Sequence, residues 1–157
     1  MTKRELIIYF AGFLDADGSI YVRLKPNKTY KYDFQVAPCV VLFQKESAIE
    51  LFEQLRKRLG VGYIRKRNDG IIEFTIGDRP SIRYILSQAS PFLLFKQKQA
   101  KLMLKILDYS EKVQTPHDFV QLALMIDQFG VLNYSKKRKV LAQVVRNHLK
   151  NKGILTP

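Results

Sequence analysis

The chain has 157 residues, enough for one domain with a hydrophobic core, and its 46% apolar and 26% charged content is that of a globular protein. Lys and Arg number 27 against 14 Asp and Glu, a net charge of +13 that points to a polyanionic partner, nucleic acid ahead of an anionic membrane surface. A single cysteine, Cys39, excludes an internal disulfide and a cysteine-based zinc site, and two histidines, His117 and His148, are too few for a histidine metal cluster.

The chain opens with "TKRE", in which Thr2 and Glu5 make a capping box; the expected helix runs from Lys3 to Asp15 or Ala16 and ends at the permissive Gly18. Lys3 and Arg4 do precede an apolar run, Leu6–Leu14. Glu5 interrupts the basic end, however, and Asp15 and Asp17 stand where a small-residue cleavage site would be. No signal or transit peptide is therefore expected, and an organelle-encoded origin (chloroplast or mitochondrion) or a prokaryotic cytoplasm fits better than nuclear import. Strands follow at Ser19–Lys25 and Tyr32–Gln44, around a loop "PNKTY" with turn residues Pro26 and Asn27. "KESAIELFEQLRKRLG" has helical spacing at Ile49, Leu51, Phe52, Leu55 and Leu59, and Gly60 closes it. A hairpin, Gly62–Arg67 and Ile71–Ile76, turns at "NDG". Helices are expected at Pro80–Gln88, Phe92–Tyr109, Pro116–Phe129 and Ser135–Lys152. The order is αββαββ followed by helices, read as one domain over 1–152 with a short tail at 153–157.

Strand parity sorts the residues. Ile20, Val22 and Leu24 alternate with Tyr21, Arg23 and Lys25; Phe34, Val36, Val40 and Leu42 with Asp33, Gln35, Ala37 and Cys39; Ile64, Ile72, Phe74 and Ile76 with Arg65, Arg67, Glu73 and Thr75. This describes an α+β fold: a four-stranded antiparallel sheet with helices on one face and a polar, open second face. The polar set can hydrogen-bond to base edges. Pro38, inside the second strand, implies a bulge or a position without a ladder bond. Basic residues cluster on the first hairpin, from Arg56 to Arg67, along Lys96–Lys105, and in "SKKRK" (135–139), where a helix start followed by four cations would clamp phosphate.

Asp15 and Asp17 sit at a helix C-terminus, where the macrodipole disfavours them, in a chain suited to an anion. A divalent cation would remove both objections. An EF-hand reading of "DADGSI" fails, because aligning Gly18 with that loop's glycine puts Phe13 and Leu24 at its first and last acidic positions. Ala11, Gly12 and Ala16, beside Phe10 and Phe13, allow close approach of another helix. That helix is either one of the same chain or its own copy in a dimer, in which case the acidic ends meet at a two-fold axis.

"FAGFLDADG" (10–18) resembles the signature of the LAGLIDADG homing endonucleases, and its single copy resembles the homodimeric subclass encoded in organellar group I introns. "KPNKTYKYDFQV", "VGYIRKR", "PFLLFKQKQA" and "DQFGVLN" are similar to that subclass in the same order. The resemblance implies an αββαββα fold with a saddle-shaped sheet on double-stranded DNA, a homodimer joined through Phe10, Ala11, Gly12 and Phe13, and no membrane or small-molecule substrate. It implies Mg²⁺-dependent cleavage of both strands of a long pseudo-palindromic target, leaving short 3′ overhangs. Mn²⁺ or Ca²⁺ could occupy the site, with Ca²⁺ supporting binding alone. Asp17 and the carbonyl of Ala16 match metal ligands; Gln44 and Lys96 match residues that organise the hydrolytic water, and Asp15 is implied to be structural. Tyr21, Arg23, Lys25, Asn27, Thr29, Tyr30, Gln35, Ala37, Arg65, Arg67, Glu73 and Thr75 match base-reading positions, and Ser135, Lys136 and Lys139 backbone-contacting ones. Ala48 stands where that family has a basic pocket residue, and Ala37, Cys39 and Val41 where polar readers are common. A splicing maturase and a non-catalytic DNA-binding regulator are the competing readings, separated from a nuclease by preference for intron RNA and by Mg²⁺-dependent binding without nicking.

Overall fold

The computed structural model describes residues 1–134 and 137–156. In chain order the elements are α1 (Lys3–Asp17), β1 (Gly18–Pro26), β2 (Phe34–Lys45), a 3₁₀ turn (Glu46–Ala48) leading into α2 (Ile49–Leu59), β3 (Tyr63–Lys66) and β4 (Ile71–Ile76). There follow α3 (Arg79–Ala89), a second 3₁₀ turn (Ser90–Phe92), α4 (Gln97–Ser110), α5 (Pro116–Leu132) and α6 (Ala142–Asn151). The strands form one four-stranded sheet in the order β1-β2-β4-β3, with β4 antiparallel to both its neighbours; Leu42 pairs with Phe74, and Arg65 with Glu73. The residues group into two compact units, Met1–Ile20 with Pro38–Lys101, and Tyr21–Ala37 with Leu102–Pro157.

In the first unit the Thr2 hydroxyl accepts the Glu5 N–H at 3.2 Å and the Glu5 carboxylate accepts the Thr2 N–H at 2.6 Å, so the capping box starts α1 as expected. Its inner face, Leu6, Ile7, Phe10, Ala11 and Leu14, is buried, and α1 packs on α3. Gly18 ends the helix for a reason other than a left-handed backbone. Its φ is −118°, and a Cβ there would lie 2.8 Å from the Leu14 carbonyl oxygen. Only glycine lets the chain turn from helix to strand that tightly. Ile72, Phe74 and Ile76 of β4 and Val40 and Leu42 of β2 complete this core with Phe52, Ile82, Ile85 and Leu86. Each such side chain contributes about 1.5–3 kcal/mol on burial.

The second unit buries Val22, Leu24 and Phe34 with Phe119, Ile126, Phe129, Val145 and Leu149. Thr115 and Asp118 make a capping box at the start of α5. The expected tail is docked: Leu155 is only 7% exposed, and the N–H groups of Ile154 and Leu155 donate to the Leu149 carbonyl.

Four expectations are corrected. The burial alternation of β2 keeps one parity through Phe34, Pro38, Val40 and Leu42. A one-residue bulge would have reversed that parity, so of the two alternatives expected for Pro38 the bulge falls and the position without a ladder bond is left. The polar parity is not uniformly open, because Val41 and Thr75, paired across β2 and β4, are both buried. The helix expected over 92–109 is broken before Gln97, since the N–H groups of Leu94, Phe95 and Lys96 donate to a side chain of α1. "SKKRK" does not open the last helix. α6 begins at Ala142, whose N–H donates to Asp127, and Ser135 and Lys136 lie outside the described residues.

Candidate functional site

The two acids at the end of α1 have different surroundings. Asp15 lies at the N-terminal approach to α4: its carboxylate accepts the N–H of Leu94 at 2.6 Å, of Phe95 at 3.2 Å and of Lys96 at 2.9 Å. Three successive amides make an anion nest, and the start of α4 adds its positive dipole end. A carboxylate disfavoured by its own helix is thus stabilised by another. The Lys96 ammonium returns the interaction, donating to the Asp15 backbone carbonyl at 2.6 Å. It satisfies one of the orphan carbonyls of the last turn and puts a cation where that dipole end favours one.

Asp17, two residues on, is exposed. Among the described residues no donor is bonded to its carboxylate. Ala16 is exposed beside it, and its carbonyl belongs to the same C-terminal set of helix carbonyls. The structure therefore brings Asp15 and Lys96 together, and leaves Asp17 free next to them. Gln44 is not drawn into this group: its amide oxygen accepts the N–H of Lys45 at 3.0 Å, and its side chain borders an apolar groove lined by Tyr9, Phe13, Ala48 and Leu51.

Of the interface residues, Phe10 and Ala11 are fully buried inside the chain and so cannot form a surface. The outward side of α1 is Ile8, Tyr9, Gly12 and Ala16, with Phe13 half-buried. At Gly12 an added Cβ would meet nothing within 4 Å, so packing within this chain does not require glycine there. Leu94 and Phe95, held by Asp15 at the end of α1, are 84% and 82% exposed.

In the second unit, β1 presents exposed Arg23 and Lys25 with half-buried Tyr21 between the buried Val22 and Ile20. The Arg23 guanidinium lies 4.7 Å from the Tyr21 ring centre, a cation–π contact that orders it. In the loop that follows, Thr29 and Tyr30 are exposed, while the amide oxygen of Asn27 accepts from the N–H and hydroxyl of Thr29. Gln35 and Ala37 are half-buried, and Lys139 is exposed. Arg138, beside it, is turned inward: its guanidinium donates to the carbonyls of Ile126 at 2.8 Å and Val22 at 2.9 Å. Burial pushes its pKa down, with Asp127 opposing. That cation anchors the fold, and composition gave no sign of it.

In the first unit, Arg65 and Arg67 share Glu73. Arg65 lies 2.7 Å from Glu73, and Arg67 lies 3.7 Å from it and 2.6 Å from Asp69. The arginines are well exposed while Glu73 is 12% exposed. The arginine ends face solvent, so an arriving nucleic acid can reach them. Thr75 is 8% exposed, reachable only past its β3 neighbour Tyr63.

Comparison with known proteins adds five findings. The profile of the LAGLIDADG endonuclease family matches residues 10–107. The chain is 35% identical over 145 residues to the DNA endonuclease I-CreI of Chlamydomonas reinhardtii, covering 92% of this chain and 88% of that protein. It is 36% identical over 145 residues to the DNA endonuclease I-CvuI of Chlorella vulgaris, covering 92% and 90%. The crystal structure of I-CvuI with its DNA target in 2 mM Ca superposes with a TM-score of 0.91 at 34% identity, over 98% of both chains. A second I-CvuI complex, in 2 mM Mg, holds the I-CreI target uncleaved.

Proposed function

This chain belongs to the LAGLIDADG endonuclease family, and from that premise we propose that it is a site-specific homing endonuclease: a homodimer that breaks both strands of a long pseudo-palindromic DNA target by divalent-metal-dependent hydrolysis, leaving short 3′ overhangs. The observation that carries the proposal is the division of labour at the end of α1. Asp15 is fully engaged by backbone amides and fixes Lys96, while Asp17 stays exposed and unmatched in a position its helix disfavours. Folding gives no reason for a carboxylate at 17; binding a cation does.

The donors available suit a hard divalent ion, since carboxylate and carbonyl oxygens favour Mg²⁺, Mn²⁺ or Ca²⁺. Asp17 and the Ala16 carbonyl would hold it. Among the described residues no three acidic, histidine or cysteine side chains cluster; such an ion needs only one or two carboxylates beside waters and substrate phosphate oxygens, and in a dimer the second copy would add its own Asp17. When bound, the ion supplies charge neutralisation at the phosphate and activation of water. In this reading Lys96 stabilises charge developing on the phosphate and Gln44 orients the water. Mg²⁺ is the working ion, and Ca²⁺ supports binding without cleavage.

The dimer forms along the outward side of α1. Support comes from the open space over Gly12 and from exposed Tyr9, Leu94 and Phe95 beside it. Glycine in a helix costs up to about 1 kcal/mol relative to alanine, and close approach of a second backbone offsets it. Base reading falls to Tyr21, Arg23, Lys25, Asn27, Thr29, Tyr30, Gln35 and Ala37 on the first hairpin and to Arg65, Arg67, Glu73 and Thr75 on the second, with Ser135, Lys136 and Lys139 on phosphates. Residues 1–152 act as one domain, since the boundary between the compact units falls inside β1, β2 and α4. Its place of action is an organelle or a prokaryotic cytoplasm. The maturase reading is set aside, because the relatives matched over 92% of this chain are DNA endonucleases.

The experiment is incubation with Mg²⁺ and a randomised duplex library, followed by sequencing of the cut ends. Wild type yields one family of long, near-symmetric sites. Asp17→Asn yields bound duplex and no ends, and undiminished cutting by that variant overturns the metal assignment.

A further inference from the structure

The loop between β1 and β2 is longer than joining two strands requires, since two residues suffice for a tight hairpin. It is nonetheless closed by its own backbone. The Asn27 N–H donates to the Asp33 carbonyl at 2.7 Å, the Tyr30 N–H to the Asn27 carbonyl at 3.2 Å, and the Asp33 N–H to the Tyr30 carbonyl at 2.9 Å. Asp33 stands at the hinge of this closure with φ of 64°, a left-handed conformation that Asp tolerates better than most residues.

Its side chain leaves the loop and reaches α6. One carboxylate oxygen, Oδ2, lies 2.9 Å from His148 Nε2 and 2.7 Å from Lys152 Nζ, one helical turn apart. A carboxylate only accepts, so Nε2 carries the proton. Asp33 is 16% exposed against 42% and 43% for its partners, which encloses the junction on the loop side. The edge of the His148 ring packs on Phe34 at 5.3 Å. A second fixing point lies at Tyr32, whose hydroxyl donates to the Gln114 carbonyl at 3.0 Å. Just before these two adjacent anchors the loop carries Thr29 and Tyr30 outward.

We infer that the Asp33–His148–Lys152 junction sets the pose of loop 27–32 against the target, so that three residues outside the proposed base-reading set are positioning residues for sequence discrimination. This rests on the base-reading role proposed above. Loops tolerate movement unless tied to a scaffold, and a misplaced reader loses its bidentate geometry before it loses contact. α6 is the scaffold here, and the tie is a charge-assisted one.

The test profiles bound duplexes and cut ends from the same randomised library for wild type, Asp33→Asn, Lys152→Met and Lys152→Arg, with a melting curve for each. Asn keeps the left-handed backbone available while removing the charge. Asp33→Asn and Lys152→Met are expected to lower discrimination about 10-fold at the base pairs under this hairpin only, a factor within the range of a single base contact. Other positions and the cutting rate on the best site stay at wild-type level, and Lys152→Arg restores the profile. Folded variants with an unchanged profile overturn the inference, as does a loss of discrimination spread evenly over the site. Wild type that binds selectively and never cuts would sink the nuclease reading while leaving this test intact; wild type that binds no duplex would sink both.

Discussion

Lys96 and Asp15 exchange main chain for side chain in both directions: the Lys96 N–H donates to the Asp15 carboxylate at 2.9 Å, and the Lys96 ammonium donates to the Asp15 carbonyl at 2.6 Å. The pair ties the end of α1 to the start of α4 and sets the lysine beside the exposed Asp17. One residue of the signature "DAD" therefore belongs to the architecture, and the other is the exposed carboxylate to which the proposed function gives the metal.

Substitution at the two acids should separate these roles. Asp15→Ala leaves three amides without their acceptor, and is expected to lower stability by about 3 kcal/mol, with hydrogen bonds to a charged group each worth about 1.5–3 kcal/mol and their losses not additive. Asp17→Asn should be neutral or stabilising by about 0.3–1 kcal/mol, because it removes a charge that the helix end disfavours. Urea denaturation checks both, and equal destabilisation would refute the division. Lys96→Met should cut turnover about 100-fold or more with little change in target affinity.

Gly12 tests the interface. A Cβ added at Gly12 meets nothing within 4 Å in its own chain, so the monomer of Gly12→Leu is expected to be no less stable, with a helix-propensity gain of up to about 1 kcal/mol. A leucine between two closely approaching backbones should instead raise the dimer dissociation constant at least about 10-fold. Sedimentation velocity across a dilution series reads this directly; unchanged association places the interface elsewhere.

Adjacent cations in "SKKRK" should behave differently. Lys139→Ala is expected to leave the melting temperature unchanged and to reduce the salt dependence of DNA affinity by about one unit of slope. Arg138→Met should leave the carbonyls of Val22 and Ile126 without that donor and cost about 1–3 kcal/mol. Salt titration and thermal melting of both variants give four readings; loss of stability at position 139 in place of 138 contradicts the assignment.

Acid should act through the helix caps. The N–H groups of Gln114 and Thr115 hold the Asp118 carboxyl below its ordinary value, and the Ser81 side chain does the same for Asp78. A carboxyl whose pKa is lowered on folding contributes stability that is complete above the ordinary value of about 3.9 and disappears as pH falls through the lower folded value. Melting temperature should therefore hold between pH 7 and 5 and drop below about pH 4. Asp118→Asn should melt lower than wild type at neutral pH and converge with it in acid; parallel curves would assign the acid limb to other groups.

Local pattern made some of this legible. The strand expected at Ile71–Ile76 has the bounds of β4, and Thr2 with Glu5 marked the start of α1, because both signals lie within a few neighbouring positions. The signature and its collinear blocks singled out Asp17 and Lys96 as candidates, and the structure joins Lys96 to Asp15 and leaves Asp17 exposed. What stayed hidden depends on contacts across the chain. The amides that occupy Asp15 come from about eighty positions away and break a helix that periodicity alone would have continued. The partners of Asp33 lie 115 and 119 positions distant. Arg138 looked like one more surface cation in a basic run, and only the carbonyls it reaches make it an anchor.

With folding resting on Asp15 and the proposed hydrolytic role on Asp17, two positions away, descent can extinguish one without disturbing the other. A lineage that drifts from aspartate at position 17 keeps a fully assembled protein that still settles on its inherited address. Such silent descendants would be raw material for new roles, and the same single change gives engineers a targeting scaffold from which the blade has been removed.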